Sequence, residues 1–142
     1  MKKAYLLDTN IVSEFSKERP NENVIALYEA RKNLCAISAV TWQELVYGAE
    51  RMPEGKRKVS ISDFIENLRN NIEIIPYDDF AARICGELSG ECSKEGKTLP
   101  YCDTQIAATA IANGMVLVTH NVSDFSEAEK RSFLRVEDWF SE

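Results

Sequence analysis

The sequence lacks any apolar run close to the roughly 20 residues that a membrane-spanning helix needs. We also expect no secretory signal, because the basic start Met1-Lys2-Lys3 reaches Asp8 before an apolar stretch develops. We therefore expect a soluble, cytoplasmic protein with no membrane contact. One histidine and four scattered cysteines fit neither a zinc site nor a disulfide framework. The cysteines are expected to be free thiols.

A surplus of positive charge is absent as well, since the formal net charge is −6. Proteins that bind nucleic acid passively are usually basic, because neutralising phosphates supplies most of their affinity. An acidic balance suits an enzyme whose carboxylates hold a cation, since the ion reverses the local charge. The length of 142 residues and the hydrophobic fraction of 44% are ordinary for one globular domain. We predict a single domain over 1–142, with no linker and no internal repeat.

Short apolar segments alternate with amphipathic ones along the chain. The predicted strands cover 4–7, 34–37, 72–75 and 115–118, with a fifth, short edge strand at 134–136. The first predicted helix begins after Asp8. The other predicted helices cover 23–32, 40–49, 56–70, 80–94 and 102–112. One or two helices between strands imply parallel crossovers, and nearly all-apolar strands imply cover on both faces. The predicted fold class is α/β, with a parallel four- to five-stranded sheet flanked by helices.

Three acidic residues stand apart from the packing pattern. Asp8 follows the first predicted strand, Glu44 lies in an otherwise apolar helix, and Asp103 opens the buried helix before the fourth strand. Parallel sheets form ligand sites beyond the carboxyl ends of their strands, and a helix N-terminus favours an anion. A carboxylate at the position of Glu44 is costly if buried without a partner, so it should face solvent or a cation.

Each acid also has a purely structural interpretation: Asp8 as a helix cap, Glu44 as a solvated surface charge, Asp103 as a first-turn charge. Their joint placement around one crevice favours a site. The polar segment 119–125 after the fourth strand adds Asp124, which either completes the site or begins the next helix. His120 is expected to be an exposed turn residue or a substrate contact. Clustered hard oxygen ligands suit Mg²⁺ or Mn²⁺, which activate water toward a phosphodiester.

Four blocks of the sequence resemble those of PIN domains, in the family order and across essentially the whole chain. They are LLDTN (6–10), ISAVTWQEL (37–45), PYCDTQIAA (100–108) and VTHNVSDF (118–125). The resemblance is strongest to the VapC toxins of bacterial type II toxin–antitoxin pairs. It implies a PIN-like three-layer fold and a Mg²⁺-dependent endoribonuclease, with Mn²⁺ as a substitute, that inhibits translation by cleaving RNA. It also implies a VapB-like antitoxin as partner and a homodimer or higher toxin–antitoxin assembly.

The resemblance also assigns roles. The first three acidic positions of the family fall on Asp8, Glu44 and Asp103, with Asp8 and Asp103 as metal ligands. Asn121 stands where many members carry aspartate, so we predict Asp124, three residues later, as the fourth acid. If Asp124 points away, a second ion is weakly held and Asn121 is a neutral ligand or orients water. The predicted supporting residues are Thr9, Asn10, Thr119 and Asn121.

Two other functions compete with this prediction. A phosphoryl-transfer domain of the receiver or haloacid-dehalogenase type also places aspartates at strand ends. Those families need an acidic pair or DxD motif at the first strand and a late lysine, whereas Asp8 is followed by Thr9-Asn10. The second alternative is a non-catalytic binding module with a PIN fold, which the retained acids disfavour.

Overall fold

The computed structural model describes residues 2–140. Five parallel strands form one sheet: β1 Tyr5–Leu7, β2 Cys35–Ser38, β3 Glu73–Ile75, β4 Val116–Val118 and β5 Val136–Glu137. Their order across the sheet is β3-β2-β1-β4-β5. This confirms the predicted α/β class and parallel sheet. The fifth strand lies slightly later than predicted, at Val136–Glu137 instead of 134–136.

Helices connect and cover the strands. They are α1 Thr9–Glu14, α2 Glu22–Arg31, α3 Ala39–Glu50, α4 Lys56–Asn71, α5 Asp79–Lys94, α6 Tyr101–Ala112 and α7 Ser126–Arg131. Short 3₁₀ turns occupy Lys32–Leu34 and Val122–Phe125. Gly114 ends the connection from α6 to β4 with a positive φ of 63°, a conformation that glycine adopts without a steric penalty. None of the helices in the 2–140 range combines the length and the apolar character of a membrane span.

Adjacent residues of each strand point to opposite faces, and both faces are buried, which produces three layers. Leu6, Ala36 and Leu117 pack on the α5–α6 side, and Leu7, Ile37 and Val118 pack on the side that includes Trp139. All four cysteines are free thiols, as predicted.

The order of the strands locates the site. The chain runs outward from β1 to β3 and then returns to β4 on the other side of β1. In such a sheet a crevice opens where the direction of winding reverses, which here is at the carboxyl ends of the neighbouring strands β1 and β4. Asp8 lies there, and its backbone N–H donates to the carbonyl of Val118 at the end of β4 (2.9 Å).

Candidate active site

Asp8 follows β1 and links its end to the end of the neighbouring strand β4. It is only 5% exposed and caps α1, with its Oδ1 accepting the backbone N–H of Thr9 at 2.8 Å. Its Oδ2 accepts the hydroxyl of Thr119 at 2.8 Å and the side-chain amide of Asn10 at 3.2 Å. A cap needs only the first of these bonds. The other two come from side chains that fix the orientation of the carboxylate.

Thr119 is fully buried and connects the loops around Asp8. While its hydroxyl donates to Asp8, it accepts from the Asn10 amide at 3.2 Å and from the Asn121 backbone N–H at 3.1 Å. Asn10 in turn accepts the His120 backbone N–H at 3.0 Å. Thr119 and Asn10 thus contact Asp8 directly, whereas Asn121 contributes a backbone group and is itself exposed.

Glu44 reaches the same crevice from α3. This helix starts directly after β2, where the Ser38 hydroxyl accepts the Thr41 backbone N–H at 2.9 Å. Glu44 is half-buried, and the Thr9 hydroxyl donates to its Oε1 at 2.6 Å. Thr9 is therefore a hydrogen-bond partner of the kind that a carboxylate among apolar neighbours needs.

Asp103 faces the other three acids from the first turn of α6. Burial, together with the charges of Asp8, Asp124 and Glu44, raises the pKa of Asp103 to about 6. Burial, with a contribution from Glu44, also raises the pKa of Asp8, although hydrogen bonds from Thr119, Thr9 and Asn10 oppose this change. Burial is thus the larger cause of both shifts, and repulsion between the carboxylates adds to it.

Asp124 occupies the 3₁₀ turn after β4. It is exposed to solvent, and it lines a small pocket together with Asp103. The charges of Asp8, Glu44 and Asp124 all act on Asp103, so the fold brings the four predicted acids, from four separate segments, near one another. Nothing in this placement assigns them a chemical role, which stays a prediction.

The donor set fits a magnesium ion. Within residues 2–140, no lysine, arginine or histidine forms an ion pair with any of the four acids. That same range contains no ready-made cage of three acidic, histidine or cysteine side chains. Mg²⁺ does not need one, because it binds through one or two carboxylates and keeps several waters. Asp8 and Asp103 are the two acids of this group whose pKa values are raised, chiefly by burial and additionally by neighbouring carboxylates.

The sequence did not reveal how the last residues of the chain contact this region. His120 lies with its Nδ1 3.1 Å from Asp138 Oδ2, and its ring stacks on Phe140 with centroids 3.9 Å apart. The available signal was indirect: a fifth strand parallel to β4 places the residues that follow both strands at one edge.

Comparisons with known proteins agree with this geometry. The PIN domain pattern matches residues 5–131. The chain is 34% identical to ribonuclease VapC2 of Haemophilus influenzae and 33% identical to the tRNA(fMet)-specific endonuclease VapC of Shigella flexneri, in each case over 95% of this chain and 97% of the relative. The crystal structure of DNA-bound VapBC from Salmonella typhimurium superposes with a TM-score of 0.80 at 31% identity, covering 98% of this chain and 99% of that one.

The similarity spans almost the full length of this chain and of each relative, and it includes every segment that supplies an acid to the crevice. The chain belongs to the PIN domain family.

Proposed function

We propose that this protein is a metal-dependent endoribonuclease whose catalytic site consists of Asp8, Glu44, Asp103 and Asp124. The observation that carries the proposal is the convergence of these four carboxylates at one crevice without a paired cation. The nuclease names of the Haemophilus and Shigella relatives support it. Membership of the PIN family removes the phosphoryl-transfer alternative, and the complete set of acids disfavours a non-catalytic binding module.

Asp8 and Asp103 are the residues that hold Mg²⁺, with Mn²⁺ as a substitute. When bound, the ion activates a water molecule and stabilises the charge that develops on the phosphodiester. Thr119 and Asn10 hold the Asp8 carboxylate in one orientation. The carboxylate therefore loses little conformational entropy when the reaction requires that orientation. Thr9 occupies Oε1 of Glu44, which leaves Oε2 to accept a proton from the attacking water.

Cleavage of RNA by the purified protein tests this proposal. Wild type should cleave with Mg²⁺ or Mn²⁺, and EDTA should abolish the activity. Asp103→Asn should abolish it as well, because the amide removes a metal ligand at constant volume. The matched control is Asp79→Asn, since Asp79 also lies in the first turn of a helix but is absent from the electrostatic surroundings of Asp103. Full activity of Asp103→Asn, in preparations free of contaminating nuclease, would refute the assignment.

The partner of this nuclease is a VapB-like antitoxin, as the VapBC complex of the Salmonella relative suggests. A groove of about 360 Å³ is lined by Thr9 and Glu44, by apolar side chains that include Leu45 and Phe64, and by the cations Lys17 and Arg57. An amphipathic segment of the antitoxin fits this groove. Its basic side chain would meet the acids, and a guanidinium pairs with carboxylates through two parallel hydrogen bonds.

Gly48 offers a clean test of the groove. It lines the groove within α3, and a Cβ built on it meets no atom within 4 Å. Gly48→Gln should therefore fill the groove and prevent capture by the co-expressed antitoxin. Gly90→Gln is the control, because Gly90 is also helical and also has nothing within 4 Å of its Cβ. Undiminished antitoxin binding by Gly48→Gln would place the antitoxin elsewhere.

The predicted homodimer stays a prediction, which light scattering of the purified protein tests.

A further inference from the structure

The residues that follow β4 and β5 leave the sheet side by side. The two strands are parallel, Val118 pairs with Glu137, and the Thr119 backbone N–H donates to the Glu137 carbonyl at 3.0 Å. His120 and Asp138 therefore emerge together at the edge that carries the acids. The Nδ1 of His120 and the Oδ2 of Asp138 lie 3.1 Å apart, within hydrogen-bond distance.

The tail that holds His120 is itself firmly anchored. Trp139 is 1% exposed, lies edge-on to Tyr5 at 5.4 Å, and donates its indole N–H to Glu137 at 3.0 Å. The guanidinium of Arg31 lies over both rings, 5.1 Å from the centroid of Tyr5 and 5.6 Å from that of Trp139. Asp138 also accepts the backbone N–H of Phe140 at 2.9 Å, which orients the ring that stacks on His120.

Hydrogen bonds connect this stacked pair to the acidic site. The His120 backbone N–H donates to Asn10 at 3.0 Å, and Asn10 donates to Asp8 Oδ2 at 3.2 Å. The His120 side chain is nevertheless 51% exposed. The result is a rigid aromatic surface, open to solvent and held at a fixed distance from the Asp8 carboxylate. A side chain that is already ordered loses little entropy when a ligand binds to it.

We infer that the stacked rings of His120 and Phe140 form a subsite for one unpaired base of the RNA, next to the phosphate that is cleaved. The inference rests on the proposed ribonuclease function. Unpaired bases stack on exposed histidine and phenylalanine rings, and this contact needs no positive charge. A protein of net charge −6 with an acidic crevice gains little from phosphate attraction away from the ion, so stacking is a suitable source of affinity.

A chemical double-mutant cycle tests this subsite. An unstructured RNA oligonucleotide that wild type cleaves is prepared as a series in which each base near the cut is replaced in turn by an abasic ribose. The kcat and KM of wild type and His120→Ala are measured on every member. On the intact RNA, His120→Ala should raise KM about tenfold with little change in kcat, because stacking is made equally in ground and transition states. His120→Phe keeps a stacking ring and should keep the wild-type KM.

The abasic series identifies the base. At one position wild type should lose the same factor of about ten, and His120→Ala should lose nothing further there. Phe140→Leu should also raise KM while sparing the hydrogen bonds of the loop, which keeps the test valid if His120→Ala folds poorly in thermal melts. Phe133→Ala is the control, since Phe133 is 99% exposed but precedes β5 and so lies at the opposite edge of the sheet.

Two results would overturn the inference while leaving the nuclease intact. One is an unchanged KM for folded His120→Ala and Phe140→Leu, which would make the pair an anchor for the tail only. The other is full additivity of the His120→Ala and abasic effects at every position. Failure of wild type to cleave any RNA would be a different outcome, because it would refute the proposed function together with the subsite.

Discussion

The acidic site and the charged surface around Arg131 both contain several carboxylates, but the pKa values of these carboxylates shift in opposite directions in the two regions. Arg131 lies 2.8 Å from Glu95 and 3.1 Å from Glu127, and Lys97 lies 2.9 Å from Glu127. Hydrogen bonds and charge from Arg131 lower the pKa of Glu95, and those from Lys97 and Arg131 lower the pKa of Glu127. At the active site the pKa values of Asp8 and Asp103 are raised instead.

The difference shows that this fold is able to neutralise its acids and does so away from the crevice. At the crevice the acids come from separate segments, face one another and meet no basic side chain among residues 2–140. Such an arrangement costs stability in the absence of a cation, and proteins retain costs of this kind mainly at functional sites. The contrast is therefore an argument for ion binding that is independent of the family comparison.

The contrast predicts its largest effect on catalysis. Asp8→Asn keeps the volume and the cap of α1 but removes a metal ligand, so the kcat for RNA cleavage should fall about 10²- to 10⁴-fold. Glu127→Gln removes a carboxylate from the charged surface and should leave kcat within about twofold of wild type, because Glu127 touches neither the ion nor the substrate. Equal losses of kcat in both variants would contradict this prediction, because the two acidic regions would then contribute equally to cleavage.

The next effect concerns the orientation of Asp8. Thr119→Val removes the hydroxyl that donates to Asp8, and loss of such an outer contact to a metal ligand should lower activity or Mg²⁺ affinity about 10- to 100-fold. Cleavage rates over a series of Mg²⁺ concentrations separate the two effects.

Thr109→Val provides the matched control for Thr119→Val. Thr109 is also fully buried, but its hydroxyl donates only to the Gln105 carbonyl within α6, at 2.8 Å. It should lose a little stability and no activity. If Thr119→Val behaves in the same way, the network around Asp8 is structural.

The sequence predicted the α/β class and the gathering of the acids because both follow from local rules. Apolar periodicity locates the strands, and parallel strands bring their carboxyl ends to one edge, so Asp8, Glu44 and Asp103 could be grouped before any coordinates were known. Asp124 followed from the position of β4 in the same way. These acids are now seen in one crevice, while their catalytic roles stay predictions.

What the sequence missed depends on neighbours across the sheet. The fifth strand was predicted at 134–136 and lies at Val136–Glu137, beside β4. The sequence pattern did not specify this pairing, so it did not indicate that Asp138 and Phe140 would contact His120. The donors to Asp8 were predicted as supporting residues, but which oxygen each one contacts is decided by side-chain geometry that spacing alone does not specify.

A smaller effect is expected in the pH dependence of stability without metal. Asp103 has a folded-state pKa of about 6 against an unfolded value of 3.8. Below the lower value both states are protonated and there is no penalty. As pH rises through the higher value the penalty becomes complete, so the metal-free protein should lose stability between these limits. After solvent screening of this half-exposed group, the loss is about 1 kcal/mol, or about 2–4 °C in Tm.

Thermal melts in EDTA and in Mg²⁺, at mildly acidic and neutral pH, measure this effect. Mg²⁺ binds only the folded site, so it should raise Tm more at neutral pH. Asp103→Asn should melt higher than wild type in EDTA at neutral pH and gain less from Mg²⁺, while Asp79→Asn should follow wild type. If Asp103→Asn melts lower and responds to Mg²⁺ as wild type does, Asp103 stabilises the first turn of α6 and is not a ligand.

The smallest effect should have the opposite sign, at Arg131. Arg131→Met removes a cation that lowers the pKa of Glu95 and that, after Lys97, also lowers the pKa of Glu127, so at neutral pH it should melt slightly lower than wild type. A group whose folded-state pKa is lowered stabilises the folded protein at pH values above its unfolded pKa. That stabilisation is lost as pH falls through the folded-state pKa. The difference between Arg131→Met and wild type should therefore shrink in acid, where the difference between Asp103→Asn and wild type in EDTA also disappears. At neutral pH in EDTA, the Tm values of Arg131→Met and Asp103→Asn should therefore deviate from that of wild type in opposite directions. Melting curves that shift the same way for both variants at neutral pH would mean that the acids of the crevice are compensated by charges in the same manner as those of the surface.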